Sequence, residues 1–391
     1  MAEAWVGSQQ RPGFFRWAVL GLMALLAACQ TVPKGRAPGA GPAAGGGKAP
    51  ITSALPDDAE RHRIALLVPM TGANAVVGQS IANAANLAIL DTGGKRLRMT
   101  TYDTGPGAAA AAQRASADGN KLFLGPLLST DVRLIAPIAA KANVPIITFS
   151  NDDDVAGDGV YVLGFSPAQS IRRVVSYAHS RGMTRFAGLI PRGAYGSNAS
   201  TALIKAAEAS GGQVVAMQDY AREPKSLATA IAKLGKGQGF DAVLIADGGR
   251  IAAAAAPQIR KGPSPNAKIL GTELWNAEGI AGGTSALHGA WYASVADGLF
   301  NQLSVKYRAR YGKAPSRLAS IGYDAVLLAV RIAGDWNAGS RFPISKLEDK
   351  GGFSGIDGAF RFGSSHIAER SLEVQEVGGG TVSPAPKGFD N

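Results

Sequence analysis

The sequence predicts an α/β fold with two Rossmann-like lobes, each built on a parallel sheet and joined to the other by a hinge. Three observations lead to this prediction. Short apolar or β-branched runs recur about every 25 to 35 residues, and a helical pattern follows each of them, as in βαβ units. Most runs lack polar alternation, which is typical of strands covered on both faces. The chain from residue 62 onward spans about 330 residues, a length typical of two lobes.

The predicted strands follow one another along the chain with helical patterns between them. They are Ile64–Pro69, Leu97–Asp103, Lys121–Pro126, Pro145–Ser150, Arg185–Pro191, Gln213–Tyr220, Asp241–Asp247 and Lys268–Glu273. In a parallel sheet the carboxyl ends of the strands meet at one edge, and ligands bind in the crevice beyond that edge.

The helix predicted over 167–181 has signals at both ends. Ser166 at the N-cap and Gln169 at N3 predict a capping box, and Pro167 suits the first helical position. Gly182 follows the last turn, where a left-handed residue is expected.

Three further segments have a clear pattern. Residues Arg317–Ala333 carry an apolar stripe at helical spacing. A helix that starts at Ser129 is expected to kink or end at Pro137, which has no amide proton to donate. The glycine-rich segment Gly351–Gly380 predicts a closing β-hairpin. Three aromatic residues of that segment are expected to pack it onto one lobe: Phe353, Phe360 and Phe362.

Residues 1–28 have the pattern of a signal peptide. Arg11 and Arg16 precede an apolar run that is shorter than the roughly 20 residues of a membrane-spanning helix. The run ends in Leu-Ala-Ala-Cys, which resembles the lipobox of bacterial lipoproteins. Cys29 is therefore expected to be acylated and to anchor the chain to a membrane. Gln30, in place of aspartate, favours the outer membrane and a periplasmic location.

Residues 29–61 are rich in Pro, Gly and Ala and predict a flexible linker. The binding domain is expected to cover residues 62–391. Each lobe is expected to come from two segments: lobe 1 from about 62–165 and 299–335, and lobe 2 from about 166–298 and 336–391.

The formal net charge of +11 does not indicate nucleic acid as a partner. An exported chain meets anionic lipids and cell-wall polymers instead. The Lys and Arg residues are scattered along the sequence and not grouped in runs, so a solvated basic surface is the simpler interpretation.

The motifs of common enzymes are absent from the sequence, which predicts a non-catalytic protein without a cofactor. There is no G-x-S-x-G, no H-E-x-x-H and no phosphate-binding glycine-lysine loop. Cys29 is the only cysteine, and the four histidines stand far apart, so no metal site is expected. Asp247 and Glu273 could form a carboxylate pair for glycoside hydrolysis, but two acids in a cleft are also common in binding proteins.

Several segments together resemble the type I periplasmic binding proteins, especially the leucine/isoleucine/valine-binding type. They are "IALLVPMTGANAVVGQSIANAANLAI", "KLFLGPLLSTD", "VPIITFS" and "AYGS", and they occur in the order of that family. The resemblance covers nearly all of 62–391. It implies a small polar ligand, such as an amino acid, held between the lobes and passed to an ABC permease.

The sequence also resembles a branch of this fold found in outer-membrane lipoproteins similar to activators of penicillin-binding proteins. Leu124–Leu128 and Ala136–Ala139 carry this resemblance, together with the lipobox. It implies a second possible function, in which the chain contacts a penicillin-binding protein and any bound ligand is a cell-wall fragment.

The strand ends supply candidate ligand-binding residues. Thr71, Ser129, Thr130, Ser150 and Asp247 follow predicted strands. Ser129 and Thr130 also open a helix, where hydroxyl and amide groups bind a carboxylate or only cap the helix.

The family resemblance assigns roles to four positions. Ser129 and Ser150 match positions that hold the carboxylate of an amino acid, Tyr195 matches an aromatic cover, and Glu273 matches a partner for the ammonium group. Two departures accompany these matches. Val77 stands where the family has an aromatic residue, and the family's threonine is replaced within 151–154, which reads Asn-Asp-Asp-Asp.

Three carboxylates in one loop repel a fourth, so they disfavour a bound carboxylate unless they point away from the cleft. A cationic ligand, a neutral ligand or no ligand are then the open alternatives. The loop lacks the spacing of a calcium-binding EF-hand and is expected to be a solvated turn.

Overall fold

A computed structural model describes residues 61–277, 285–386 and 389. Lobe 1 contains a five-stranded sheet with the order β2-β1-β3-β4-β5, and every neighbouring pair is parallel. Its strands are β1 (His62–Val68), β2 (Leu97–Asp103), β3 (Phe123–Leu124), β4 (Ile146–Thr148) and β5 (Val160–Val162). The helices that cover it are α1 (Ala75–Asp91), α2 (Ala108–Ala117), α3 (Ser129–Ala142), α9 (Gly298–Tyr311) and α10 (Ala319–Ile332).

Lobe 2 contains a seven-stranded sheet with the order β15-β14-β10-β9-β8-β6-β7. The five strands from β10 to β7 in this order are parallel, whereas β14 and β15 form an antiparallel edge. The strands are β6 (Arg185–Pro191), β7 (Gln213–Tyr220), β8 (Ala242–Ile245), β9 (Lys268–Gly271), β10 (Trp291–Ser294), β14 (Glu373–Glu376) and β15 (Gly380–Ser383). The helices are α4 (Pro167–Ser180), α5 (Ala194–Ala209), α6 (Pro224–Leu234), α7 (Gly249–Arg260) and α8 (Leu274–Ala277).

A three-stranded antiparallel sheet completes the fold. It consists of β11 (Phe353–Gly355), β12 (Gly358–Phe362) and β13 (Ala368–Arg370). Phe353, Phe360 and Phe362 are buried in the core of lobe 1, so the expected aromatic packing is confirmed.

The core contacts divide the last segment between the lobes. The sequence pattern assigns 336–391 to lobe 2, but Trp336, Phe342 and the three-stranded sheet belong to the core of lobe 1. Val374 and Val377 pack in lobe 2, because β14 extends its sheet beside β10. The boundary between lobe 1 and lobe 2 in this last segment therefore lies between β13 and β14.

The predicted α/β fold is confirmed, and the eight predicted strands correspond to β1–β4 and β6–β9. The sequence does not predict β5 and β10, which are only three and four residues long. Both strands lie directly before a passage of the chain from one lobe to the other.

Two predictions about helix ends need correction. Ser166 precedes α4, but its hydroxyl donates to Asp153 at 2.5 Å and does not cap the helix, while the Gln169 amide bonds to residues of β13. Gly182 does follow α4 with a φ of 90°. Helix α3 continues through Pro137, because Val132, Ile135 and Ala139 bury one face of it and offset the lost hydrogen bond.

The chain passes between the lobes three times, after β5, after β10 and after β13. Arg370 in β13 donates to the carbonyl of Leu163 at 2.6 Å, which joins the first and third passages. Arg317 donates to Asp297 in the second passage at 3.1 Å and to buried Asp357 at 2.8 Å. Two buried arginines therefore hold the passages together.

In both lobes the helix that follows the first strand lies close to the carboxyl end of that strand. A side chain at Gly78 in α1 would overlap the carbonyl oxygen of Pro69, and one at Gly196 in α5 would overlap that of Pro191. These glycines let the helix N-termini approach the strand ends that face the cleft.

Replacing Gly78 by alanine is expected to lower the free energy of unfolding by about 1 to 3 kcal/mol, because the added methyl group meets backbone. Alanine at an ordinary helical glycine stabilises by roughly 0.5–1 kcal/mol instead. Gly298→Ala is the matched control, since a Cβ there meets nothing within 4 Å. Urea unfolding of both variants measures the difference, and equal stabilities would contradict the close approach.

Candidate functional site

A cavity lies between the lobes at the carboxyl ends of their strands, and we call it the inter-lobe cavity. Lobe 1 contributes most of its apolar wall, and the residues are Val77, Leu127, Leu128, Phe149, Leu318 and Ile321. Phe165, from the first passage between the lobes, and Leu274 of lobe 2 complete the apolar lining. The polar residues of the lining are Asn74, Asn151 and Glu273. Such a site suits a small ligand with an apolar body and one polar end.

Glu273 forms the polar end of the cavity on the side of lobe 2. It follows β9, and only 7% of its surface is exposed. One carboxylate oxygen accepts a hydrogen bond of 2.5 Å from the Ser170 hydroxyl, and the other lies 3.0 Å from the Tyr195 hydroxyl. These contacts fix the carboxyl group against the wall of the cavity.

The electrostatic surroundings of Glu273 disfavour its ionised form. Burial raises the pKa of Glu273 to about 7, although the hydrogen bonds from Ser170 and Tyr195 act in the opposite direction. The negative charge of a second carboxyl group, that of Asp153, raises the pKa of Glu273 further. A cation in the cavity would therefore stabilise the ionised form of Glu273.

A second cavity, the hinge cavity, adjoins the first and shares Phe165 and Glu273 with it. Arg317 and Arg370 line it, and each is 7% exposed. The guanidinium carbon of Arg370 lies 4.9 Å from the ring centre of Phe165 and 5.2 Å from that of Phe360. The rings thus cover the guanidinium faces, which is a favourable cation–π arrangement.

The acidic loop is a short 3-10 helix at Asp153–Val155, and only part of it is solvated. Asp152 is buried and accepts a hydrogen bond of 3.0 Å from Arg133 in α3. Burial raises the pKa of Asp152, but hydrogen bonds from Arg133 and Ser129 outweigh it and lower the pKa. Burial raises the pKa of Asp153, whose carboxylate accepts from Ser166, whereas Asp154 is exposed. Among the three aspartates, the expected solvated turn is therefore correct for Asp154 alone.

The structure brings two of the predicted site residues together, Tyr195 and Glu273, and Glu273 lines the inter-lobe cavity. The charge of Asp247 acts on Tyr195, but the Asp247 carboxylate accepts from Tyr220 at 2.7 Å and from Arg222 at 2.9 Å. It is thus engaged within lobe 2.

Three of the four predicted residues of lobe 1 have hydrogen-bond partners within the protein. The Thr71 hydroxyl donates to Asp103 at 2.8 Å, and Ser150 accepts from the amide of Asp152 at 3.1 Å. Ser129 is hydrogen-bonded to Asp152, and Thr130 is exposed. None of these four residues lines the inter-lobe cavity.

Most residues of the lining are not among the site residues that the sequence predicts. Leu127, Leu128 and Phe149 belong to or directly follow the predicted strands, so their position at strand ends was a usable signal. Leu318 and Ile321 were predicted as part of an apolar helical stripe, and the structure shows that this stripe reaches the cavity. Arg317 and Arg370 carried no local signal.

The described residues contain no group of three His, Cys, Asp or Glu side chains that could hold a metal ion. Within the same residues, no helix is both long enough and apolar enough to cross a membrane. Cys29 lies outside the described residues.

A family model for the periplasmic binding proteins matches residues 62–381. The chain belongs to this family. It is of type I, the leucine or branched-chain amino acid binding type, and its members are substrate-binding and generally non-catalytic. Membership implies a periplasmic location.

Solved structures share the fold of this periplasmic binding protein. One is a solute-binding protein of an ABC transporter from Rhodopseudomonas palustris in complex with 3,4-dihydroxybenzoic acid, with 20% identity and a TM-score of 0.66, covering 85% of this chain and 98% of the other. Another is an ABC transporter substrate-binding protein from Desulfitobacterium hafniense in complex with leucine, with 19% identity and a TM-score of 0.66. The second match covers 83% of this chain and 100% of the other. At these identities the similarity shows the fold alone.

One curated relative is the uncharacterized protein RP748 of Rickettsia prowazekii, which is 31% identical over 139 residues. The match covers 35% of this chain and 37% of the relative, so it spans just over a third of either protein.

The raised pKa of Glu273 predicts a pH-dependent effect of Glu273→Gln on stability. The folded state holds the proton more tightly than the unfolded state, whose carboxyl has the ordinary value of 4.5. The stability that Glu273 contributes is therefore fully present below 4.5 and is lost as the pH rises through about 7. Glutamine does not titrate. Between pH 4.5 and pH 8 the unfolding free energy of the variant should therefore rise relative to that of the wild type by up to roughly 3 kcal/mol.

Urea unfolding of both proteins across this pH range tests the prediction. The difference in unfolding free energy between the two proteins at one pH is free of the titration of other groups. The change of that difference with pH is also free of the pH-independent effect of the amide. A difference in unfolding free energy that stays constant from pH 4.5 to pH 8 would show that Glu273 has an ordinary pKa.

Proposed function

We propose that this chain is a periplasmic receptor that holds a small molecule with an apolar body in the inter-lobe cavity and presents it to an ABC permease. The observation that carries the proposal is the cavity itself, in which both lobes contribute to one apolar lining. A ligand that touches both lobes stabilises their closed arrangement, which is the signal that a partner recognises.

The ligands bound to two of the similar structures support this proposal. The Desulfitobacterium hafniense protein holds leucine and the Rhodopseudomonas palustris protein holds 3,4-dihydroxybenzoic acid, and both ligands combine an apolar part with polar groups. In this chain, Phe149, Phe165 and Leu318 would contact the apolar part, and Glu273 would contact a polar group. Tyr195 and Ser170 position the carboxyl group of Glu273.

We further propose that the receptor is a lipoprotein, anchored to the outer membrane through Cys29. The Leu-Ala-Ala-Cys segment and Gln30 support this proposal. The linker 29–61 would then let the binding domain stand away from the membrane surface.

The second candidate function is the regulation of peptidoglycan synthesis through contact with a penicillin-binding protein. The lipobox, together with Leu124–Leu128 and Ala136–Ala139, favours it. Capture of a purified penicillin-binding protein by the full chain, with no ligand-dependent thermal shift, would support this function over the receptor.

Leu128→Trp is expected to abolish ligand binding, because Leu128 lines the cavity and a larger side chain would fill it. The control is Leu134→Trp, since Leu134 in α3 is 55% exposed and lies outside the lining. The measurement is a thermal-shift screen with amino acids, short apolar amines, aromatic acids and muropeptides. A ligand at 100 times its dissociation constant should add about 2.7 kcal/mol of stability to the wild type and the control. Absence of any shift across the whole panel would refute the receptor proposal.

Cys29→Ser is expected to release the chain from the membrane fraction, because serine cannot form the thioether to the lipid. Fatty-acid labelling of the expressing cells should mark the wild type and leave the variant unlabelled. Labelling of the variant, or a soluble wild type, would show that Cys29 is not the anchor.

A further inference from the structure

The hinge cavity lies where the three passages between the lobes meet. Phe165 and Ser166 belong to the first passage, Val295 to the second and Leu372 to the third, and all four line it. The hinge cavity has a volume of about 20 Å³, which is room for a small group of atoms, whereas the adjoining inter-lobe cavity has about 250 Å³. The hinge cavity therefore has room for one end group of a ligand whose body lies in the inter-lobe cavity.

Two arginines of this lining have unused hydrogen-bond donors. Nη2 of Arg317 and both Nε and Nη1 of Arg370 are buried and have no hydrogen-bond partner among the described residues. The rings of Phe165 and Phe360 cover the faces of the Arg370 guanidinium group, so an acceptor reaches this group at its edge, where the N–H bonds point. A buried donor without a partner destabilises the folded state, and a charged donor does so most.

The neutral polar side chains of the lining each donate a hydrogen bond to another group of the protein. They are Ser166, Gln169, Ser170, Asn276 and Ser294. In the described part of the lining, the buried nitrogens without a partner thus belong to the two arginines. Because these donors are charged, they bind an anionic acceptor more strongly than a neutral one.

Arg370 takes part in no ion pair of the described residues, and its side chain donates only to the carbonyl of Leu163. Burial lowers the pKa of Arg370, and the charge of Arg317 lowers it further, whereas Asp357 and Asp324 act in the opposite direction without outweighing burial. Asp357 is already paired with Arg317, and Asp324 accepts from two backbone amides. An anion in the hinge cavity would therefore stabilise the charged form of Arg370.

Glu273 is the acid of this lining, and its ionised form would repel such an anion. The pKa of Glu273 is raised to about 7 by burial and by the charge of Asp153, while hydrogen bonds from Ser170 and Tyr195 act against this increase. Protonated Glu273 removes the repulsion, and an ammonium group on the same ligand would offset it.

We propose that Arg317 and Arg370 bind the carboxylate of the ligand in the hinge cavity, while its apolar body lies in the inter-lobe cavity. The proposal rests on the proposed function, because both concern one ligand. It places the carboxylate away from Ser129 and Ser150, to which the family resemblance assigns it and which line neither cavity. Since both arginines also join the passages between the lobes, the ligand contacts the region about which the lobes would move.

Two pairs of compounds with the same carbon skeleton isolate the carboxylate by titration calorimetry on the full chain at pH 6. Leucine and leucinamide both carry the ammonium group, whereas 4-methylpentanoate and 4-methylpentanamide both lack it. In each pair the carboxylate is expected to bind at least about ten-fold more tightly than the amide. Formate has no apolar body and should bind at least about ten-fold more weakly than 4-methylpentanoate.

The affinity for 4-methylpentanoate should fall about ten-fold from pH 6 to pH 8, because Glu273 loses its proton with a pKa of about 7. The affinity for 4-methylpentanamide should stay constant. Equal affinities of the carboxylate at the two pH values would place it away from Glu273 and overturn the proposal.

Nitrogen NMR of the arginine side chains locates the carboxylate, with Arg370→Lys to assign the signal. Nε of Arg370 has no hydrogen-bond partner among the residues that the structure describes, so its signal should move when 4-methylpentanoate binds and move much less with the amide. Binding of the carboxylate without movement of this signal would show that its site is elsewhere.

Ser294→Asp and Ser294→Asn form a matched pair, because the two side chains have the same size and differ in charge. Ser294 lines the hinge cavity, so the aspartate would repel a ligand carboxylate there. The Asp variant should bind 4-methylpentanoate at least about ten-fold more weakly than the Asn variant, while their affinities for the amide should differ less than about three-fold. Equal affinities of the two variants for the carboxylate would contradict the proposal, and the measurements on the wild type stand if either variant fails to fold.

The outcomes separate the two proposals. If the amides bind the wild type as tightly as the matching carboxylates, or if formate binds as tightly as 4-methylpentanoate, the carboxylate site is wrong and the receptor function stands. The same holds if no carboxylate binds while another compound of the thermal-shift panel does. Only the failure of every compound in that panel refutes the receptor function itself.

Discussion

The burial of the Glu273 carboxyl, with which no cation among the described residues forms an ion pair, is the constraint on which the site depends. Lobe 2 places this group at the end of β9, and Ser170 and Tyr195 hold it there with hydroxyl hydrogen bonds. Hydroxyl groups stabilise a carboxylate less than a cation would, so the group keeps a pKa of about 7. A protein that keeps such a group next to an apolar cavity gains most from a ligand that brings the missing charge.

The arrangement of the passages between the lobes explains how the two walls of the cavity meet. Arg370 joins the first and third passages, and Arg317 joins the second passage to the core of lobe 1 through Asp297 and Asp357. Removing one partner of such a buried charge pair lowers the free energy of unfolding. These contacts therefore hold the three passages in place, and the passages are the region about which the lobes would move. Phe165, between the two cavities, connects this region to the binding site.

The repeating apolar runs predicted the fold and most strands, because parallel strands buried on both faces have a simple local signal. Glu273 and Tyr195 were proposed as site residues from the family resemblance, and Glu273 also ends a predicted strand. The capping role of Ser166 was predicted wrongly because its hydroxyl donates to Asp153. The acidic loop is solvated only in part, because Asp153 accepts from Ser166 and Asp152 accepts from Arg133. Such pairings, like those of Arg317 with Asp357 and of Asp152 with Arg133, join residues that are separated in the sequence. They produce no periodic pattern from which they could be predicted.

The most direct test of the account is the pKa of the Glu273 carboxyl, followed by carbon NMR of the labelled side chain, with Glu273→Gln to assign the signal. We expect a midpoint near 7 for the protein alone. A midpoint near the ordinary value of 4.5 in the protein alone would contradict the account.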